Sequence, residues 1–114
     1  LILNPKAPKV GHMFGYGIYL APKAKKSIGY TSLNGSFWVH GTSDKAYLFV
    51  MKTVYKSPYH VYTWTSGMKS LTKSRISPHD AVFAHAGTSL RNDEVVIFDD
   101  AQVTLQYIIE LKQQ

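Results

Sequence analysis

Between positions 11 and 30 the chain reads Gly11-His12-Met13-Phe14-Gly15-Tyr16-Gly17-Ile18-Tyr19-Leu20, then Ala21-Pro22-Lys23-Ala24-Lys25-Lys26-Ser27-Ile28-Gly29-Tyr30. Gly15 and Gly17 flank a position where the backbone must turn tightly or come close to a ligand. Tyr19, Ser27 and Tyr30 bring two aromatic faces and a hydroxyl, groups that stack and hydrogen-bond, within reach of one small pocket.

That arrangement asks for a loop, a strand and a helix in succession. Ile18-Tyr19-Leu20 alternates as a strand does, which turns Tyr19 away from its neighbours. Pro22 suits the first turn of a helix. The spacing of Ala24, Ser27 and Ile28 extends that helix over 22–32, with Ser27 and Tyr30 on one face. Downstream, Asn34-Gly35 signals a turn. Lys45 to Tyr55 is rich in branched and aromatic residues and reads as a long central strand. Tyr59 to Thr65 alternates aromatic and polar residues as an edge strand would. Residues 66–80 carry Gly67, Lys69, Lys73, Arg75 and Pro78 and read as a basic surface loop. Strands are expected at 81–84, 94–99 and 102–111, the last two separated by a turn at Asp99-Asp100. With one short helix and strands at hairpin-like spacing, the fold class is α+β with a mostly antiparallel sheet.

At 114 residues the chain suits a single domain, and 45% apolar residues are enough for a packed core. The net charge of +6 and a pI near 9.6 are compatible with nucleic acid, an anionic membrane surface, a phosphate-bearing ligand, or plain solubility. With no cysteine there is neither a disulfide framework nor a thiolate metal site, which fits a reducing compartment. The five histidines show no paired helical spacing, so no zinc site is expected. No apolar run reaches membrane-spanning length. A start at Leu1, without an initiator Met, carries the expectation that residues have been lost upstream.

The 11–21 stretch, followed by Lys26-Ser27 and Tyr30, resembles the nicotinamide-binding signature of the poly(ADP-ribose) polymerase catalytic domain. The C-terminal stretch Asn92-Asp93-Glu94-Val95-Val96-Ile97-Phe98-Asp99, then Ala101-Gln102-Val103 and Tyr107-Ile108-Ile109-Glu110-Leu111-Lys112, is similar to that family's closing strands. The two matches come in the family's order and bracket the rest of the chain, so the resemblance is to the C-terminal part of that domain over residues 1–114. It implies a split, mostly antiparallel sheet that holds NAD+ in a cleft. Its function would be NAD+-dependent ADP-ribosyl transfer to a protein acceptor or a growing chain, in an intracellular setting, with no metal and no membrane. Nucleic acid would be met only through domains outside this chain.

The same resemblance assigns roles. Tyr19 and Tyr30 would flank the nicotinamide, Ser27 would bind its carboxamide, and Gly17 belongs to the cofactor-binding turn. Lys26 would lie near the reacting end, and Glu94 would be the catalytic carboxylate, with Tyr19 beside it. A flat cationic ring is well held between two aromatic faces. A carboxylate near the ribose stabilises the positive charge that develops there, as in glycoside hydrolysis. Glu94 also keeps chain elongation open, since family members without it transfer a single unit. Lys6 and Lys9 match the loop that covers the dinucleotide, and Lys69, Lys73 and Arg75 match the loop that faces the acceptor. The family's upstream His-Gly pair has no counterpart in order, because His40-Gly41 falls after Tyr30. Two other readings stand beside this one: a domain of the same fold that binds NAD+ or ADP-ribose without turnover, and a basic aromatic nucleic-acid-binding β domain.

Overall fold

The computed structural model describes residues 13–34 and 42–113. Six strands and one short helix follow in order: β1 (Ile18–Leu20), α1 (Ala24–Ile28), β2 (Lys45–Thr53), β3 (Pro58–Val61), β4 (Ala81–Ala84), β5 (Glu94–Ile97) and β6 (Val103–Lys112). The strands form two separate sheets. One has four strands in the order β1-β5-β4-β3, and the other is the β2-β6 ribbon. The class is α+β with mostly antiparallel pairing, as the residue pattern implies.

The four-stranded sheet is built on its two most apolar segments. Val82, Val96 and Ile97 have no accessible surface, and burying each side chain contributes roughly 1.5–3 kcal/mol. Side chains alternate across β5. Val96 joins Phe14, Val61, Ile76, Val82 and Ala84 on one face. Val95 and Ile97 join Ala81 and Val103 on the other. β1 lies at one edge, pairing Tyr19 with Val96 and Leu20 with Val95.

The ribbon pairs β2 with β6 along their whole lengths, with a shift in register between Val50 and Met51. Its base is tied to the sheet. Val54 N–H donates to the Gln102 carbonyl, and the Gln102 amide donates to the carbonyls of Val54 and Asp80. Beyond the base both faces are apolar and exposed. Tyr47, Phe49 and Ile108 project on one side and Val50, Tyr107 and Ile109 on the other.

Four expectations need correction. The 45–55 strand is not central: it ends at Thr53 and, among the described strands, pairs with β6 alone. The helix covers Ala24–Ile28, not 22–32. Gly29 ends it, and the chain continues in turns, with Tyr30 N–H on the Ser27 carbonyl and Thr31 N–H on that of Ile28. β3 is shorter than 59–65 and runs parallel to β4, because residues 62–80 cross over instead of forming a hairpin. The 66–80 stretch is also more than a surface loop: it contains a 3-10 turn at Ser66–Ser70 and buries Ile76 in the core. The Lys6 and Lys9 loop, Gly11-His12, the second half of the Asn34-Gly35 turn and His40-Gly41 lie outside the described residues.

Candidate functional site

Glu94 stands at the head of β5, and Lys26 sits in the last turn of α1. Lys26 Nζ donates to Glu94 Oε2 at 2.9 Å and to the Asn92 carbonyl at 3.3 Å. The two side chains are only 14% and 13% exposed. At that burial a charge left without its partner is costly, so each fixes the other. The helix supplies this lysine because its basic residues fall at the C-terminal end, where the helix dipole favours positive charge.

Tyr19 projects from β1 on the Val96 face of the sheet and packs against the cluster around Phe14. Its hydroxyl accepts the Phe14 N–H at 3.0 Å and donates to the Gly15 carbonyl at 2.6 Å. The phenol therefore closes the turn that precedes its own strand. Burial pushes its pKa up to about 12; the Phe14 hydrogen bond opposes that rise and the Glu94 carboxylate adds to it. Tyr30 is likewise raised, by burial first and then by Glu94. Both phenols thus feel the same carboxylate and stay neutral.

The two glycines of the turn have separate reasons for being glycine. Gly15 has a φ of +84°, and a Cβ there would strike the Leu71 carbonyl. Gly17 lies so close to β5 that a Cβ would come within 2.8 Å of the Ile97 carbonyl oxygen and of Val96 Cγ1. Trp64 holds the start of the same turn by donating its indole N–H to the Met13 carbonyl at 2.7 Å.

A cleft of about 950 Å³ opens between the ribbon and the opposite face of the sheet. Ser27, Tyr30 and part of Tyr19 line it, together with Leu20, Phe49 and Val95. Glu94 and Lys26 do not line this cleft, because alternation along β5 turns Glu94 to the other face. The structure therefore gathers the predicted residues around one edge of β5 but divides them between its two sides. The basic residues of the 66–80 stretch have internal partners. Lys73 Nζ is 2.7 Å from Asp99 Oδ2, Arg75 donates to the Ser70 carbonyl, and Lys69 lies 5.6 Å from the Trp64 ring centroid.

Reading the sequence misses the structural duty of the Tyr19 hydroxyl. It also misses Asp80, whose carboxylate accepts the N–H groups of Lys56 and Ser57. The signal for Asp80 is its place just before an apolar strand, where a short acidic side chain can close a turn. Among the described residues no cluster of three or more metal-ligating side chains occurs, and no helix is long and apolar enough to cross a membrane.

Comparison with known proteins agrees with the resemblance in the residues. The chain is 30% identical over 128 aligned positions to poly(ADP-ribose) polymerase of Sarcophaga peregrina, covering 96% of this chain. It is 29% identical over 129 positions to that of Drosophila melanogaster, covering 97%. No family model matches. The chain spans about 13% of the length of these curated relatives. This sequence is distantly similar to one segment of the poly(ADP-ribose) polymerases.

Proposed function

We propose that these residues form part of the site of an NAD+-dependent ADP-ribosyltransferase. The reaction breaks the nicotinamide–ribose bond of NAD+ and transfers ADP-ribose to a protein acceptor or a growing chain. The observation that carries the reading is the ion pair between Lys26 and Glu94, 68 residues apart in sequence, beside two tyrosines that both sense the carboxylate.

The donor set suits the substrate. Tyr30, 44% exposed beside Ser27, offers an aromatic face to a flat cationic ring, and the Ser27 hydroxyl can hold a carboxamide. Tyr19 and Gly17 shape the turn next to them. Glu94 supplies negative charge where positive charge develops on the ribose, and it can accept a hydrogen bond from a ribose hydroxyl. Lys26 keeps that carboxylate oriented. Glu94 is also compatible with elongation of a chain.

The test is nicotinamide release from NAD+ by the protein, beside a Glu94→Gln variant, with rates normalised to the folded fraction. A fall of about 100-fold or more is expected, the scale on which transition-state charge stabilisation acts. Equal rates in the two proteins would remove Glu94 from the chemistry. No release from either, with a melting temperature still raised by NAD+, would favour a binding domain without turnover.

A further inference from the structure

A second chemical cluster lies away from Glu94, on the exposed face of the β3-β4 pair. Parallel pairing sets His60 opposite Phe83 and carries the chain on to His85, whose N–H donates to the Val61 carbonyl. His60 and His85 thereby become diagonal neighbours on one face. Their side chains meet, with His60 Nδ1 2.8 Å from His85 Nε2. The ring centroids are 5.0 Å apart, which is the nitrogen separation plus one ring radius on each side. The rings therefore meet edge to edge, nitrogen to nitrogen. Tyr62 stacks on His85 at 4.4 Å with its plane tilted by 10°, and Phe83 packs against the same imidazole at 4.6 Å. These two aromatic rings restrict the orientations open to His85.

We propose that His60 and His85 form a two-ligand site for a borderline divalent cation such as Zn2+ or Ni2+, strapping β3, the sheet's edge strand, to β4. Imidazole nitrogens suit these ions. With metal–nitrogen bonds of about 2.0–2.1 Å and a tetrahedral angle, the two nitrogens stand about 3.3 Å apart. The observed separation is within about half an ångström of that; because the two nitrogens face each other in line, the exposed His60 ring must swing aside so that its lone pair and that of His85 meet at one ion. The hydrogen bond requires a proton on one of the two facing nitrogens, whereas a metal requires both bare. The donor ring therefore changes tautomer, its proton moving to the ring's other nitrogen, and no net charge is displaced. Water fills the remaining coordination positions.

The site is tested with untagged, chelator-treated protein titrated with Zn2+ by calorimetry, together with melting curves. One equivalent is expected to bind and to raise the melting temperature. Affinity should fall by more than about 10-fold in His60→Ala and in His85→Ala, since losing a ligand exceeds the cost of losing a partner that merely orients one. His79→Ala, which changes an imidazole bonded to Ser57 instead, should bind as the parent does. Absence of binding, binding undiminished in both His60→Ala and His85→Ala, or an equal loss in His79→Ala would each overturn the proposal.

Discussion

The ammonium of Lys26 lies 2.9 Å from the carboxylate of Glu94, joining the only α-helix of the described residues to the head of a central strand. The pair does two jobs at once. It ties α1 to the sheet, and it holds in place the carboxylate that raises the pKa of Tyr19 and Tyr30. Structural and chemical roles are thus coupled in one contact, and measurements must separate them.

Breaking that pair should cost stability irrespective of any substrate. Glu94→Gln leaves a mostly buried ammonium with neutral acceptors and no counter-charge, a loss of about 3 kcal/mol. The double variant Lys26→Met/Glu94→Gln should lose less than the sum of the single variants. Urea denaturation of the four proteins measures the coupling. Strict additivity would mean that the two side chains do not act as a pair.

Tyr19→Phe removes two hydrogen bonds and leaves the Phe14 N–H unsatisfied. The expected cost is about 1–3 kcal/mol. Amide exchange at Phe14 should quicken in step with the fall in melting temperature. An unchanged rate would show that the hydroxyl is not closing the turn in solution.

Alkaline stability follows from the same residue. A phenol whose folded pKa is raised to about 12 holds its proton where the unfolded chain has lost it. Its contribution is complete below about pH 10, where unfolded tyrosine ionises, and is lost as pH rises through the folded value. Stability should therefore fall between about pH 10 and 12. Tyr19→Phe should flatten that slope, and Glu94→Gln should move the ionisation of both Tyr19 and Tyr30 downward. Absorbance of tyrosinate against pH reads both effects.

Gly15→Ala meets two penalties, a positive φ and a collision with the Leu71 carbonyl. The backbone penalty alone is about 1–2 kcal/mol, and the collision adds to it. Gly67→Ala, where nothing lies within 4 Å, serves as the comparison and should cost far less. Thermal melts of the two variants decide the matter.

In acid, Asp80 should be felt. Its carboxyl is held below the ordinary carboxylate range by the backbone N–H groups of Lys56 and Ser57. A lowered folded pKa gives stability that is present above about pH 4 and lost as pH falls through the folded value. Asp80→Asn should weaken this acid dependence, as measured by denaturation midpoints between pH 2 and 6.

How much of this was legible in the residues depended on the range of the forces involved. The apolar segments at 81–84 and 94–97 announced themselves because burial is written into side-chain type. The direction of β3 did not, because it is set by how residues 62–80 cross over. The helix ends earlier than its apolar spacing implies because that spacing continues past Gly29, where the chain turns off. Motif context points to Lys26 and Glu94, but their contact follows from α1 docking beside β5, which no local pattern encodes. The same holds for His60 and His85. Their neighbourhood exists only through parallel register.

The split architecture also dictates an order of assembly. β1 finds its partner in β5 and β2 finds its partner in β6, so both early strands wait for the last quarter of the chain. During synthesis neither β1 nor β2 can meet the strand it pairs with until that late segment emerges, so for these two strands loop closure over most of the sequence precedes any gain from pairing. Closure of both sheets should therefore be slow, since β1 waits for residues at Glu94–Ile97 and β2 for those at Val103–Lys112. A chain cut short before Glu94 would leave the apolar strands of its first half with nothing to pair against, a form that a cell clears or that clumps.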